Sequence, residues 1–514
     1  MPAEPEPPLE LTVGDDDSAD EDLQGEVAPP VWMNEIPEYE IGRPEGILRF
    51  RSTPRRDRQG IGHLPRSLPT VAWSQRVRCS KEWCGVGWTG QPLLVDWSDE
   101  ARAVQPFTEP GGPAVEVIVG GLDGMVYFVD LDSGEPSRPA FRAQTASIKG
   151  TMSIDPRGPP LLYVGQGLSG HDRDWHYKVV SLIHNRALLD IPGSQRRFGG
   201  EPLAPTRSWG GADGNALILE DSDRFLLGGE SGLVYRVDLG TDWEGQRIGL
   251  DPDIDPWTYH SVRPKYGNPD KLDGSSRWAP GIESSVALHD GVAYFADSLG
   301  SLIGLDHVSG EEVLRLDLED DTDATPVISI EDGHPYLYVG TEVDKQVHGR
   351  PVRATGVMRF SKVDLEAKDF AWRLELPAWT WKKVDAKHDY NGGVLATAAL
   401  GFGPSAGLVF VPTSHEPDFG RGRILAIRTE LGEDGQPEIA WSYPLGRPSW
   451  SSPACDGETL VVGDAGGVMR GFDAVSGELL WELEIGGAIE SSPVFWDGRV
   501  VVGTRGGQLV GLVE

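Results

Sequence analysis

Polar residues that could bind a ligand recur just before apolar, strand-like segments of this sequence. Glu283 and Glu490 hold the same place in two copies of the letters IESS, and the stretch DDTDAT puts Asp321 and Asp323 in a similar place. Carboxylate and amide oxygens are the usual ligands of a hard cation such as Ca²⁺, and carboxylates also attract a cationic group of a partner. The comparable residues ahead of other segments are Lys149, Asp213 and Asn391.

The chemistry of these residues leaves two interpretations open. In the first, they surround an axis and form a binding site, with Glu283, Asp323 and Glu490 as candidate ligands of a metal ion such as Ca²⁺. In the second, they are solvated polar residues, or caps for backbone amides at the ends of strands. The choice depends on the elements that bring them together.

A four-strand repeat is the element that must position these residues. Its most complete copy is WSSPACDGETLVVGDAGGVMRGFDAVSGELLWELEI, in which alternating apolar residues predict strands and Asp-Gly, Gly-Gly and Ser-Gly pairs predict tight turns. The unit occurs about eight times at spacings of roughly 35 to 60 residues, as in propeller blades with insertions. The predicted copies begin at or near Gly90, Ile148, Asn215, Gly281, Asp323, Gly392, Trp450 and Ile489.

Closure of the repeats into a ring explains how the last copy is completed. Each unit is apolar on both faces, so a linear stack would expose two hydrophobic ends, whereas a ring exposes none. The copy that ends at Glu514 has three strands, and LPTVAWS, from Leu68 to Ser74, matches the missing fourth strand. We therefore predict an all-β chain that forms an eight-bladed β-propeller of four-stranded antiparallel blades, closed by this N-terminal strand. Seven blades are the alternative.

Composition and charge limit the partners and the domain organisation. The formal net charge of −34 repels nucleic acid and anionic lipid. Residues 1–40 are acidic and Pro-rich and predict a disordered tether, 41–84 form an N-terminal extension, and 85–514 form the propeller. Within the extension, the basic, turn-rich stretch from Ile47 to Ser67 is expected to pack across the surface of the body.

Two features bear on the compartment. No window of the sequence is long and apolar enough for a membrane helix, so we expect membrane contact only through an N-terminal anchor, if one is present. Cys79 and Cys84 are close enough in sequence to form a disulfide, which points to an oxidising compartment.

Three glycine-rich stretches resemble the PQQ-like (WD40-like) β-propeller repeat family; they are GDAGGVMRGFDAVSGELLWELEIGG, GTRGGQLVGL and GGLDGMVYFVDLDSG. The resemblance implies a ring-shaped propeller, often with eight blades. It implies either a quinoprotein dehydrogenase or a non-catalytic binding propeller, such as the periplasmic lipoproteins of outer-membrane protein assembly. It also implies that Trp73, Trp441 and Trp481 dock between blades, so we interpret them as structural.

From the resemblance we expect a non-catalytic binding or scaffold propeller that contacts a protein partner in a bacterial envelope or cell-surface assembly. The family places such a protein in the periplasm or outside the cell. We assign no catalytic residue and no cofactor, and Ca²⁺ is the ion considered. The main alternative is a PQQ- and Ca²⁺-dependent dehydrogenase using Glu283, Asp323 and Asn391, but the adjacent cysteine pair typical of that branch is absent. A carbohydrate or peptide binder at the channel mouth is a third hypothesis.

Aromatic residues in the insertions between repeats indicate where a protein partner would bind. Rigid rings bury contact area at a low entropic cost, and they are enriched at interfaces for that reason. We predict one interface on the ring, formed by Trp257, Tyr259, Trp379, Trp381 and Tyr390.

Overall fold

Strands are the main regular elements of the described chain and form eight mostly antiparallel sheets of four or five strands. The computed structural model describes residues 43–80, 83–87, 90–167, 175–193, 197–198, 201–202, 209–262, 280–347, 353–381, 391–416 and 421–514. In seven of these sheets the strands follow one another in sequence order from the central channel outward, and in the eighth, strands from near the N-terminus lie at both edges. The prediction of an all-β, eight-bladed β-propeller is confirmed, and the alternative of seven blades is wrong.

The strands of the first four blades are given from the channel outward. Blade 1 contains Leu93–Asp96, Glu116–Gly120, Met125–Asp130 and Phe141–Arg142, and blade 2 contains Ser153–Ile154, Leu161–Gly165, His176–Ser181 and Arg186–Pro192. Blade 3 contains Leu217–Ile218, Arg224–Gly228, Val234–Asp238 and Asp253–Trp257, and blade 4 contains Ala287–His289, Val292–Ala296, Ser301–Asp306 and Glu312–Asp317.

The remaining blades follow in the same order. Blade 5 contains Val327–Glu331, His334–Gly340, Arg353–Asp364 and Asp369–Trp381, and blade 6 contains Ala399–Leu400, Leu408–Pro412, Arg423–Leu431 and Pro437–Pro444. Blade 7 contains Ala454–Cys455, Thr459–Gly463, Val468–Asp473 and Leu479–Glu484, and blade 8 contains Val494–Trp496, Arg499–Thr504, Gln508–Val513 and Thr70–Arg76.

Short elements lie outside the blade strands. A helix, Asp99–Val104, follows the first strand of blade 1, and the side chain of Ser98 caps it by accepting from the backbone N–H of Ala101. The two-stranded pairs are Arg197–Phe198 with Glu201–Pro202, Asp242–Glu244 with Arg247–Gly249, and Glu342–Val343 with Gly392–Gly393, and the 3₁₀ turns are Lys345–Val347 and Gly403–Ser405.

Both ends of the described chain contribute to blade 8. Thr70–Arg76 pairs antiparallel with Gln508–Val513 and forms the outermost strand. On this strand, the indole Nε1 of Trp73 donates to the carbonyl of Leu131 in blade 1 at 2.8 Å. The N-terminal strand therefore ties blade 8 to blade 1.

The hydrophobic core lies in the seams between successive blades, and a cluster of buried apolar side chains fills each seam. Tryptophans cover the outer part of several seams. Trp441 of blade 6 donates from Nε1 to the carbonyl of Ala474 in blade 7 at 3.1 Å. Its ring lies over Gly477, which has a φ of +74° and where an added Cβ would approach the ring to 2.5 Å. Only glycine fits this turn, because both the space and the backbone conformation exclude a side chain.

Hydroxyl groups link the inner ends of blades 4 to 8 by a series of hydrogen bonds. The backbone N–H ahead of one first strand donates to a Ser or Thr hydroxyl at the same position in the next blade. Ser285 donates to Thr325, Thr325 to Thr397, Thr397 to Ser452, and Ser452 to Ser492, at distances of 2.9 to 3.2 Å. These bonds satisfy buried amides that no strand pairs.

Removal of one hydroxyl tests this series of hydrogen bonds. We expect Thr325→Val to lower the free energy of unfolding by about 1–3 kcal/mol, because the buried N–H of Ser285 loses its acceptor while the side-chain volume is unchanged. Urea unfolding followed by tryptophan fluorescence measures the loss. Thr325→Ser keeps the hydroxyl and should retain most of the stability, and an equal loss in both variants would contradict a role for the hydrogen bond.

Of the stretch expected to pack across the surface of the body, Ile47 to Ser67, residues 47–61 lie inside the ring instead. The end of the stretch does lie at the surface, where exposed Arg66 pairs with Asp473 of blade 7. Glu45–Ile47 adds a fifth strand to the channel edge of blade 1, and Gly60–Ile61 adds one to the channel edge of blade 8. Arg51 and Arg56 between them are 1% and 0% exposed. The basic composition suggested solvent, but these guanidinium groups donate to carbonyls of the inner strands instead.

Candidate functional site: an acidic channel mouth

The predicted site residues lie at one face of the ring, which we call the mouth. First strands of successive blades run in the same direction, so the residues ahead of them surround the channel at the same end. All seven predicted residues are described, and they are Lys149, Asp213, Glu283, Asp321, Asp323, Asn391 and Glu490. Their side chains divide into three groups.

Lys149 is the centre of the first group, on blades 2 to 4. Its Nζ contacts Oδ2 of Asp213, a side chain that is 5% exposed. One oxygen each of Asp213, Glu230 and Glu283 lies within 4.8 Å of the others. Burial by itself would lower the pKa of Lys149, but the charges of the three carboxylates outweigh it and raise that pKa above its usual value.

The second group joins blades 5 and 6 around a pair of carboxyl groups. The amide of Asn391 donates from Nδ2 to Oε2 of Glu342 at 2.6 Å, and Glu342 is in turn hydrogen-bonded to Asp323. Burial, followed by the charge of Glu283, raises the pKa of Asp323 to about 7. Burial and the neighbouring Asp323 raise the pKa of Glu342 well above its usual value. The pair therefore holds a proton near neutral pH.

Asp321 belongs to the rim of this second group. Its Oδ2 accepts from Nζ of Lys345 at 2.6 Å, and the same ammonium group binds Oδ2 of Asp344 at 2.5 Å. Buried Asp320 accepts from the backbone N–H of Lys345 at 2.6 Å and fixes the position of this lysine. The main interaction of Asp321 is therefore its ion pair with Lys345.

The third group lies on blade 8, where Glu490 pairs with Arg505 at 2.9 Å. The guanidinium of Arg505 also lies 5.2 Å from the ring centre of Trp83. Among the described residues, the three-carboxylate group that could hold a metal ion contains Glu283 but neither Asp323 nor Glu490. The set of Glu283, Asp323 and Glu490 predicted as metal ligands is thus divided among three groups.

Two carboxylates of the mouth were missed in the sequence, although a repeat position marks them. Glu230 and Glu342 each stand two residues after the glycine that ends the second strand of a blade, Gly228 and Gly340. Arg505 holds the same place in blade 8. Residues at this position turn toward the channel and contact the residues that precede the first strands.

The predicted aromatic interface is only partly described. Trp257 is half-buried against Gly310 of the next blade, and Tyr259 meets the edge of Phe295 at 5.0 Å between ring centres. Trp379 packs on His415 at 4.4 Å. Tyr259 and Trp379 lie near the mouth, whereas the ring of Trp257 packs on the turn between the third and fourth strands of blade 4, at the opposite face, so the structure does not bring these three predicted residues into one interface. The side chain of Trp381 and all of Tyr390 lie outside the described residues.

The disulfide between Cys79 and Cys84 is present and lies against Gly507, in the turn between the second and third strands of blade 8. Trp83 of the same loop reaches Arg505 at the mouth. The remaining cysteine, Cys455, is free and buried, and burial raises its pKa to about 12. A thiol protonated to that degree is a poor nucleophile.

The described mouth fits a cation better than it fits the quinone cofactor PQQ. PQQ is a tricarboxylate, and the carboxylates of Asp213, Glu283 and Asp323 would repel it. A divalent cation would find oxygen ligands at Asp213, Glu230 and Glu283, but the ammonium of Lys149 already supplies positive charge there. An organic ammonium or guanidinium group matches this surplus of negative charge and its hydrogen-bond acceptors.

Comparison with known proteins supports the repeat and the fold. Residues 420–513 match the family profile described as outer membrane protein assembly factor BamB. BamB from Moraxella catarrhalis is 16% identical over 87% of this chain and 98% of its own, with a TM-score of 0.49. Quinohemoprotein alcohol dehydrogenase from Comamonas testosteroni is 14% identical over 91% of this chain and 80% of its own, with a TM-score of 0.54.

Sequence comparison with curated proteins gave no match. The family match confirms the resemblance to PQQ-like propeller repeats, and the second solved structure supports the fold alone. No helix in the described ranges has the length and apolar character needed to span a membrane.

Proposed function

We propose that this chain, a propeller of PQQ-like repeats, is a non-catalytic binding or scaffold protein of a bacterial envelope or cell-surface assembly. Its mouth takes a lysine or arginine side chain of a protein partner. The observation that supports this function most directly is the convergence of Asp213, Glu230 and Glu283 within 4.8 Å, beside the proton-sharing pair of Asp323 and Glu342.

Charge and accessibility both favour a basic partner group. Glu283 and Asp323 keep part of their surface exposed, whereas Asp213, Glu230 and Glu342 behind them are buried. A cationic side chain that enters the mouth therefore meets two accessible carboxylates, and the buried ones add to the field that attracts it. Half-buried Tyr259 and Trp379 near the mouth offer apolar contact around this point.

The compartment is part of the proposal. The disulfide of Cys79 with Cys84 is typical of proteins outside the reducing cytoplasm. The family matched by residues 420–513 is described as an outer membrane protein assembly factor, which favours the periplasm or cell surface.

Site-specific photocrosslinking in cells that express the full chain tests the proposal. A benzophenone amino acid is placed at Asn391 in the mouth or at Val475, which is 48% exposed in a turn on the opposite face. We expect protein adducts from the mouth position only, and mass spectrometry should locate the crosslink beside a lysine or arginine of the partner. Equal adducts from both faces, or none from the mouth, would contradict it.

Neutralising one accessible carboxylate provides the quantitative test. We expect Glu283→Gln to weaken binding of the identified partner about tenfold, because one charge at close range to the cation is lost. Glu438→Gln, an exposed position on the outer strand of blade 6, is the matched control and should leave binding unchanged. Isothermal titration measures both.

Retention of quinone absorbance after incubation with PQQ and Ca²⁺ would support the dehydrogenase alternative instead.

A further inference from the structure

A segment near the N-terminus runs through the half of the channel opposite the mouth. We call residues 45–61 the strap. It begins as a strand on the channel edge of blade 1, where Ile47 is opposite Leu94, and ends as a strand on the channel edge of blade 8, where Gly60 is opposite Phe495. Between these two strands it crosses the ring.

Backbone carbonyls of the strap accept hydrogen bonds from the first strands of three further blades. Ile154 of blade 2 donates to the carbonyl of Leu48 at 2.8 Å. Leu288 of blade 4 and Ile328 of blade 5 donate to Pro54 and Arg55 of the strap, each at 2.9 Å. These N–H groups lie on channel edges that would otherwise present unpaired donors.

Side chains of the strap reach the inner ends of the other blades. Arg49 donates to the carbonyl of Ile218 in blade 3, and Arg51 to that of Thr397 in blade 6, both at 2.8 Å. In blade 7, the backbone N–H of Cys455 donates to the Gln59 side chain at 3.2 Å. Every blade of the ring therefore makes at least one strand pair or hydrogen bond with the strap.

The strap has the character of a fixed element of the fold. Arg51, Ser52 and Arg56 have φ values of 56°, 54° and 65°, a region that residues with side chains adopt only where their surroundings hold them. The guanidinium of Arg56 is fully buried, and it donates to the carbonyls of Phe50 and Val286. The free-energy cost of this backbone strain and of burying the guanidinium is offset only while the strap stays bound inside the ring.

We infer that the strap is an internal plug, which closes the channel at the face opposite the mouth and makes it a pocket with one entrance. A partner segment can enter at the mouth but cannot pass through the ring. The strap also satisfies the inner strand edges of the ring and so holds the blades together. The inference stands independently of the function proposed above, because it rests on different residues.

Hydrogen exchange of the full chain, resolved to single residues by mass spectrometry, tests the plug. We expect the amides of Ile154, Leu288 and Ile328 to exchange at least about 100-fold more slowly than exposed amides, because their acceptors are strap carbonyls. Exchange of these three amides at the rate of exposed amides would overturn the inference, and this measurement needs no variant.

A variant shows whether the strap itself gives the protection. Arg56→Met should accelerate exchange of Leu288 and Ile328 about tenfold while amides of outer strands keep their rates. The control is Arg138→Met, which removes an equally buried arginine that pairs with Glu116 in blade 1. Equal acceleration of Leu288 and Ile328 in both variants at matched stability would overturn the inference, since protection would then report global unfolding alone.

Discussion

Replacing Trp481 with alanine is expected to lower the free energy of unfolding by about 3–5 kcal/mol, the usual cost of emptying a buried tryptophan site. The side chain is 4% exposed in the seam between blades 7 and 8. Its Nε1 donates to the carbonyl of Pro65 at 2.9 Å, and its ring fills the space beside Gly471, where an added Cβ would lie 2.2 Å from it.

Removal of Trp481 should cost more stability than removal of an ordinary core residue, because Trp481 also fixes the chain between the strap and the outermost strand of blade 8. Buried Leu64, next to Pro65, belongs to the same seam cluster. Chemical denaturation measures the loss. The matched control is Trp243→Ala in the hairpin of Asp242–Glu244 and Arg247–Gly249, where Nε1 bonds only locally to Gly245. A smaller loss is expected there, and equal losses would contradict a special role for the seam.

The blade pattern could be predicted because it is local and periodic. Copies such as the one beginning at Trp450 carry their strands and turns within one stretch of sequence, and the position of Gly477 follows from turn chemistry. The Trp in LPTVAWS suggested a fourth strand far from its blade, and the structure pairs Thr70–Arg76 with Gln508–Val513. The repeated blade pattern therefore predicted a contact between two distant parts of the chain.

The strap could not be predicted from composition. A run with the sequence RFRSTPRRDRQG from Arg49 to Gly60 is typical of a solvated surface, since arginine is rarely buried without a carboxylate. The position of the strap is decided by backbone N–H and C=O groups of the inner strands that need hydrogen-bond partners. The residue types in the sequence do not show where these groups lack partners. Arg56 shows this, because its acceptors are the carbonyls of Phe50 and Val286.

The sequence predicted most of the residues at the mouth but not which of their side chains pair with one another. The face and six of the seven residues followed from one repeat position, and Asp321 followed from its closeness in sequence to Asp323. Glu230 and Glu342 come from a second position that shares the channel. Glu490 pairs with Arg505 within blade 8, whereas the distance between blades 2 and 3 decides that Lys149 pairs with Asp213. Such pairing depends on the size of the ring, which a one-dimensional repeat does not contain.

The pKa of Asp323, raised to about 7, predicts a stability that depends on pH. Between about pH 4 and pH 7 the folded state keeps a proton that the unfolded chain releases, so this group lowers stability as the pH rises through that window. Asp323→Asn resembles the protonated form. We therefore expect its stability advantage over the unmodified chain to be larger at pH 8 than at pH 5, measured by urea unfolding at each pH.

A carboxylate with the opposite shift provides the control. Hydrogen bonds from the backbone and hydroxyl of Ser309 lower the pKa of Asp306, so the charged form is the stabilising one. Asp306→Asn should therefore lose stability at pH 8 relative to the unmodified chain. Equal pH profiles for the two variants would contradict the assignment of the proton to the pair of Asp323 and Glu342.

The same proton links pH to binding at the mouth. When the pH falls below about 7, Asp323 becomes neutral, and a cationic side chain of the partner loses one of the two accessible charges that attract it. Affinity should decrease as the pH falls from 8 to 6, approaching about tenfold per pH unit below the pKa if binding requires the ionised form. In Asp323→Asn the affinity should be low and independent of pH over this range, because no proton has to leave. An unmodified chain with constant affinity from pH 8 to 6 would show that the cation binds away from this pair.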